Sequence, residues 1–126
     1  NFQKVHLIAY LLFLNCCFSA SANPYFDQVF ALINGHIEAG AYEQNLDVLP
    51  KLVQEKEFRS LNCHQKGKIF HKIGVTCYLL NQEEEAIRYF RDSVLAIWQN
   101  CAEVPPTEKA TTIYNMGICH QYLGNN

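Results

Sequence analysis

The chain has 126 residues, 49% of them hydrophobic, with ten Lys and Arg against twelve Asp and Glu and a formal net charge of −2. That length suffices for one small domain with a core but not for two. The basic residues are scattered rather than gathered into a stripe, which excludes a nucleic-acid footprint.

The first stretch carries one Lys, an apolar run over residues 5–18, and the small residues Ala20-Ser21-Ala22 before Asn23. This is the layout of a secretory signal peptide with an A-x-A cleavage site, covering 1–22. A bilayer-spanning helix needs roughly 20 apolar residues, more than this run supplies. Leu14-Asn15-Cys16-Cys17 has a faint likeness to a lipoprotein cleavage site, and the chain starts with Asn rather than Met. The reading is an exported product, periplasmic or secreted, with no membrane contact after the signal is removed.

Beyond residue 22 there is no sustained alternation of apolar and polar residues, so the fold class is all-α. Asn23-Pro24 reads as an N-cap followed by Pro at the first helical position, and Phe26, Val29, Phe30, Ile33 and Ile37 recur at helical spacing up to a stop at Gly40. A second helix begins near Tyr42 and puts Leu46, Leu49, Leu52 and Val53 on one face, with Pro50 as either a kink or a late start. A third runs from about Ser60 to Leu80 with the stripe Ile69, Phe70, Ile73, Cys77 and Leu80. Asn81 with Glu84 reads as a capping box for a fourth helix, Gln82 to about Asn100, that buries Ala86, Ile87, Phe90, Val94, Ile97 and Trp98. In its first turn Glu83, Glu84 and Glu85 match the helix dipole, which favours a helix start over a metal site. Glu103-Val104-Pro105-Pro106 is a stiff loop, and a fifth helix runs from near Thr107 to Leu123-Gly124.

Cys63, Cys77, Cys101 and Cys119 follow the signal at spacings of 14, 24 and 18 residues, which fit no compact disulfide framework. Cys77 and Cys119 fall on apolar helix faces and read as buried free thiols. The state of Cys63 and Cys101 is open.

Self-comparison aligns Phe70-x2-Ile73-Gly74-x2-Cys77 with Ile113-x2-Met116-Gly117-x2-His120, the two glycines standing 43 residues apart. Ala86-x3-Phe90 follows Gly74 at twelve residues. This pattern resembles the tetratricopeptide repeat, W-x2-L-G-x2-Y in one helix and A-x3-F in the next. The resemblance implies antiparallel helix pairs stacked as a short right-handed solenoid, in which Gly lets two helices of a pair approach closely. It divides the chain into a degenerate repeat over 23–60, with Ile33 at the Gly position and Asn45 at the Ala position, a full repeat over 61–106, and the first helix of another over 107–126. Phe70 and Ile113 replace the Trp, Cys77 and His120 replace the Tyr, and the spacing exceeds the usual period of about 34. A solenoid closes with a capping helix, so the resemblance implies the amino-terminal piece of a longer protein.

Catalytic signals are weak. The Cys63-His64 and Cys119-His120 pairs lack zinc spacing, no orienting group for a Cys-His nucleophile can be named, and no Gly-rich phosphate loop occurs, so no catalytic, cofactor or metal residue is assigned. Cys63, His64 and His71 form a minor metal alternative. The tetratricopeptide resemblance implies instead a non-enzymatic scaffold that binds a protein or peptide on the concave face of its first helices. Mapped by the repeat, that face comprises Lys68, His71, Lys72 and Tyr78 in one repeat and Tyr114, Asn115, Gln121 and Tyr122 in the next, with Lys and amide donors beside aromatic rings suited to a peptide backbone or carboxylate. The alternative is a docking segment of a larger enzyme, such as a CHAT-type cysteine peptidase, whose catalytic domain would lie beyond residue 126.

Overall fold

Asn23 opens the first helix as its sequence predicts: its side chain accepts the Phe26 amide at 3.0 Å, and Pro24 stands in the first turn, where its missing N–H is not needed. The computed structural model describes residues 23–124, which form α1 (Pro24–Glu38), α2 (Tyr42–Leu52), α3 (Lys56–Arg59), α4 (Cys63–Leu79), α5 (Glu83–Arg88), the π-helical segment π1 (Tyr89–Leu95), α6 (Ala96–Trp98) and α7 (Pro106–Tyr122). Among these residues there is no strand, and the fold is all-α. The expected signal peptide lies outside them.

Helices α1 and α4 end by the same device. Gly40 and Asn81 adopt positive φ, 72° and 62°, just past α1 and α4. In each case two amides turn back onto the helix: Ala41 to the His36 carbonyl and Gly40 to Ile37, then Gln82 to Cys77 and Asn81 to Tyr78. These are Schellman turns, and Gly or Asn tolerates the left-handed backbone they require. Gly124 takes the same conformation after α7, with φ 77°. Asn81 is therefore a helix terminator rather than the expected capping box, because a left-handed residue donating its amide backward cannot also cap forward; Gln82 is the N-cap of α5 and makes no side-chain cap. The capping box lies elsewhere, at Asn62 and Gln65, where side chain and backbone bond reciprocally, and it starts α4 at Cys63 rather than at Ser60.

Pro50 does not mark a late start, since the helix already begins at Tyr42. It sits in the last turn of α2, where the helix is already ending at Leu52. The short α3 has no periodic signal, yet it buries Phe58, and Leu61 follows it into the core. The fourth predicted helix is continuous from Glu83 to Trp98 but widens to π geometry at Tyr89–Leu95; Ala86, Ile87, Phe90, Val94 and Trp98 of its stripe are buried, and Ile97 is only partly buried.

α4 is the central element. Residues 71 to 78 are all buried, because α1 and α2 pack on one side of it while α5, π1 and α7 pack on the other. A helix enclosed all round normally carries apolar residues throughout; this one also buries His71, Lys72 and Thr76. It meets π1 and α6 tightly: the Phe90 ring of π1 lies against Gly74, and the Trp98 indole of α6 lies against Gly67, where any side chain would overlap it. Burying rings of that size stabilises by about 2–3 kcal/mol each relative to exposure, which more than offsets the helix-propensity penalty of about 1 kcal/mol at each Gly.

Candidate functional site

The eight residues mapped by the repeat divide into two groups. His71, Lys72, Tyr78 and Asn115 are interior, none more than 4% exposed, and present no surface. Tyr114, Gln121 and Tyr122 are exposed, and Lys68 is partly buried. The difference has a geometric reason: repeat mapping assigns a residue to one side of its helix, whereas α4 is covered on every side over residues 71–78.

His71 and Asn115 of the buried group form a polar seam between α4 and α7. Thr112 donates its hydroxyl to the Glu108 carbonyl at 3.1 Å, so it accepts from His71 Nδ1 at 2.8 Å. His71 Nε2 then accepts from Asn115 Nδ2 at 3.1 Å. Both ring nitrogens are satisfied by the neutral imidazole protonated at Nδ1, and a second proton at Nε2 would point at an amide donor. Burial, followed by the charges of Lys72 and Lys68, lowers the His71 pKa to about 3. One turn toward the start of α7, Glu108 accepts from His64 Nε2 at 2.7 Å and lies 3.9 Å from the Lys68 ammonium. Lys68 and Lys72 each place Nζ 5.2 Å from the centre of the Phe30 ring, a cation–π arrangement reaching across to α1. The cleft bounded by Phe30, Lys68, His71, Lys72, Trp98 and Glu108 has a volume of about 10 Å³, room for about one water and not for a ligand.

Asn45 plays a comparable part between α1, α2 and α4. Fully buried, it donates to the Ile33 carbonyl and to Thr76 Oγ1, both at 3.1 Å, and accepts from His36 Nδ1 at 2.8 Å. Thr76 donates its own hydroxyl to the Lys72 carbonyl at 2.8 Å. A polar hub therefore joins α1, α2 and α4, whereas Ala86 on α5 is fully buried among apolar residues.

The exposed group belongs to α7. Ala110, Ile113, Tyr114, Gly117 and Gln121 recur at helical spacing and all face outward, with Ile113 59% and Tyr114 52% exposed. A Cβ added at Gly117 would meet nothing within 4 Å, in contrast to Gly74. At the end of the helix the half-exposed Tyr122 meets Tyr78 edge to face, ring centres 5.5 Å apart, and burial, followed by the neighbouring Tyr122 hydroxyl, pushes the Tyr78 hydroxyl well above the usual tyrosine range.

Sequence reasoning missed the corner where α4 begins. Cys63 and Cys101 form a disulfide, and Glu103 Oε2 lies 3.2 Å from each sulfur. The spacing of 38 residues carried no signal, since only the pairing of α4 with α6 brings the two cysteines together. Cys77 and Cys119 are buried free thiols, as their apolar faces predict, and burial pushes Cys77 up to about 11, which keeps it protonated. His71, bound to Thr112 and Asn115, does not join Cys63 and His64 in a ligand set.

No helix among the described residues is long and apolar enough to cross a membrane. No family model matches the chain, and neither a curated protein nor a solved structure matches it significantly.

Proposed function

We propose that residues 23–124 form a tetratricopeptide-type interaction module of an exported protein, which docks a partner protein or peptide and carries out no chemistry of its own. The helix pairs α1–α2 and α4–α5/π1 are read as stacked repeats, with α7 as the first helix of the next. Support comes from the matching turns at Gly40, Asn81 and Gly124 and from Phe90 lying on Gly74, where the repeat pattern requires a close approach. The disulfide is compatible with an oxidising compartment.

The observation that carries the docking reading is the outward stripe of α7. Ile113 and Tyr114 expose large apolar surface side by side, with Gln121 in line and Tyr122 at the flank. Rigid aromatic side chains with a polar tip beside an amide suit a protein interface. Of the buried members of the predicted face, His71 and Asn115 join α4 to α7, Tyr78 meets Tyr122, Lys72 faces Phe30 on α1, and Lys68 is tied to Glu108.

The test places a photo-crosslinking residue at position 114 and, as control, at the exposed Arg59 on α3. Crosslinking of a defined partner from position 114 alone is expected. The double variant Ile113→Asp, Tyr114→Ala should weaken its binding about tenfold or more, the effect of losing an interface hot spot. Equal crosslinking from both positions, or unchanged affinity in the double variant, would remove α7 as the docking face.

A further inference from the structure

We infer that Cys63, Cys101 and Glu103 form a zinc site when the disulfide is reduced. Their three ligand atoms lie within 4.8 Å of one another and come from two separate segments, the first turn of α4 and the loop after α6. The placement of Glu103 is the telling feature. Its Oε2 stands 3.2 Å from both sulfurs, yet a disulfide has no S–H to donate, so the carboxylate is gathered there without a hydrogen bond to account for it. Once the disulfide is reduced, a cation held by the two thiolates finds that carboxylate already in place as its third ligand.

The geometry suits Zn²⁺. Tetrahedral zinc with Zn–S bonds of about 2.3 Å holds two thiolates about 3.8 Å apart. The Cys63 and Cys101 Cα atoms are 6.0 Å apart, so rotation about the Cα–Cβ bonds reaches that separation with the backbone in place. The backbone is anchored independently of the disulfide: Cys101 packs in a buried cluster with Val94, Trp98 and Val104, and the capping box at Asn62 fixes Cys63. As the first residue of a 17-residue helix, Cys63 has its thiolate favoured by the helix dipole. Glu103 is exposed, which leaves the fourth position to water. Two thiolates with one carboxylate favour a borderline-soft ion over calcium or magnesium.

The chemistry balances with a dithiol as reductant. The dithiol supplies two electrons and two protons, the Cys63–Cys101 bond breaks to give two thiols, and the dithiol closes to its own disulfide. Zinc then displaces the two thiol protons and takes one oxygen of Glu103. The same two sulfurs thus link α4 to the loop after α6 by a covalent bond in an oxidising compartment and by a metal in a reducing one. This inference is independent of the docking reading.

The test uses the full chain, either oxidised or reduced with dithiothreitol and desalted without oxygen, and titrates ZnCl₂ against a chromophoric chelator. Reduced protein should bind one equivalent and oxidised protein none, and Co²⁺ should give thiolate-to-metal charge-transfer absorption only with the reduced form. Cys77→Ala should bind like the parent and Cys63→Ser should lose the site. Glu103→Gln, a change on an exposed side chain that leaves folding intact, should weaken binding at least about tenfold, the scale at which even outer-shell partners act. No zinc uptake on reduction, equal uptake by the oxidised form, or full affinity in Glu103→Gln would overturn the site.

Discussion

Phe90 packs its ring against the backbone of α4 at Gly74, so closely that a Cβ there would lie 2.5 Å from Phe90 Cε1. In the same motif 43 residues later, Gly117 faces open space. Two glycines with one sequence signature are thus in opposite physical situations, and the same substitution should separate them. Gly74→Ala forces the ring or the helix to shift and should destabilise by about 1–3 kcal/mol, the usual cost of overpacking. Gly117→Ala meets no obstacle and should stabilise by up to about 1 kcal/mol through helix propensity. Urea unfolding of both variants measures the difference, and equal effects would mean that the Gly74–Phe90 contact does not govern the pair.

Asn45 should be the most costly polar residue to truncate. Asn45→Ala removes three hydrogen bonds in an interior site and leaves Thr76 Oγ1 with one partner fewer. A loss of about 2–3 kcal/mol is expected from the stranded buried groups and the void. Gln44→Ala, on the exposed neighbour, should stay within about 0.5 kcal/mol. Denaturation midpoints of the two variants, read with an unchanged slope, decide the matter.

His71 should make stability depend on pH below neutrality. Its folded pKa is lowered to about 3, against 6.5 for the free side chain. Between those values the unfolded chain takes up a proton that the folded one refuses, so stability falls as pH drops from about 6.5 toward 3, by up to about 1.4 kcal/mol per pH unit. Above 6.5 both states are neutral and the effect vanishes. The groups facing this ring are Lys68 and Lys72 on α4 and Thr112 and Asn115 on α7, with Glu108 one turn away. His71→Gln keeps hydrogen-bonding capacity and removes the titration. Its unfolding free energy, compared with the parent at pH 7 and pH 5, should lose the part of the slope due to His71; an identical slope in both would show that another group sets it.

Much of the helical order was legible locally. Asn23-Pro24 and Gly40 bound α1 because a cap, a Pro at the first turn and a left-handed Gly act within a few residues of one another. The stripe Ala86, Ile87, Phe90, Val94 and Trp98 was legible for the same reason, since helical spacing survives even where the backbone widens to π geometry. Asn81 was misread because Asn can either cap forward or terminate backward, and only its φ of 62° distinguishes the two. α3 was invisible because a single turn has no period to detect.

The candidate site was legible in part. Of the mapped residues Tyr114, Gln121 and Tyr122 are exposed, whereas Lys72 and His71 are polar residues in the interior, and composition argues against burying such groups unless partners are supplied. Those partners, Thr112 and Asn115 for His71 and the Phe30 ring for Lys72, lie about 40 residues away in the chain.

What the amino-acid order settled was local: the all-α class, where most helices start and stop, which face of each is apolar, and that Cys77 and Cys119 are buried thiols. What tertiary packing settled was everything that depends on two distant segments meeting. It joined Cys63 to Cys101, set Glu103 between their sulfurs, filled the notch at Gly74 and left the one at Gly117 open. The physical reason is one of range. Helix periodicity and capping act over a few residues, whereas a disulfide, a ring in a notch or a neutral buried imidazole exists only once helices far apart in the chain lie within a few ångströms of each other.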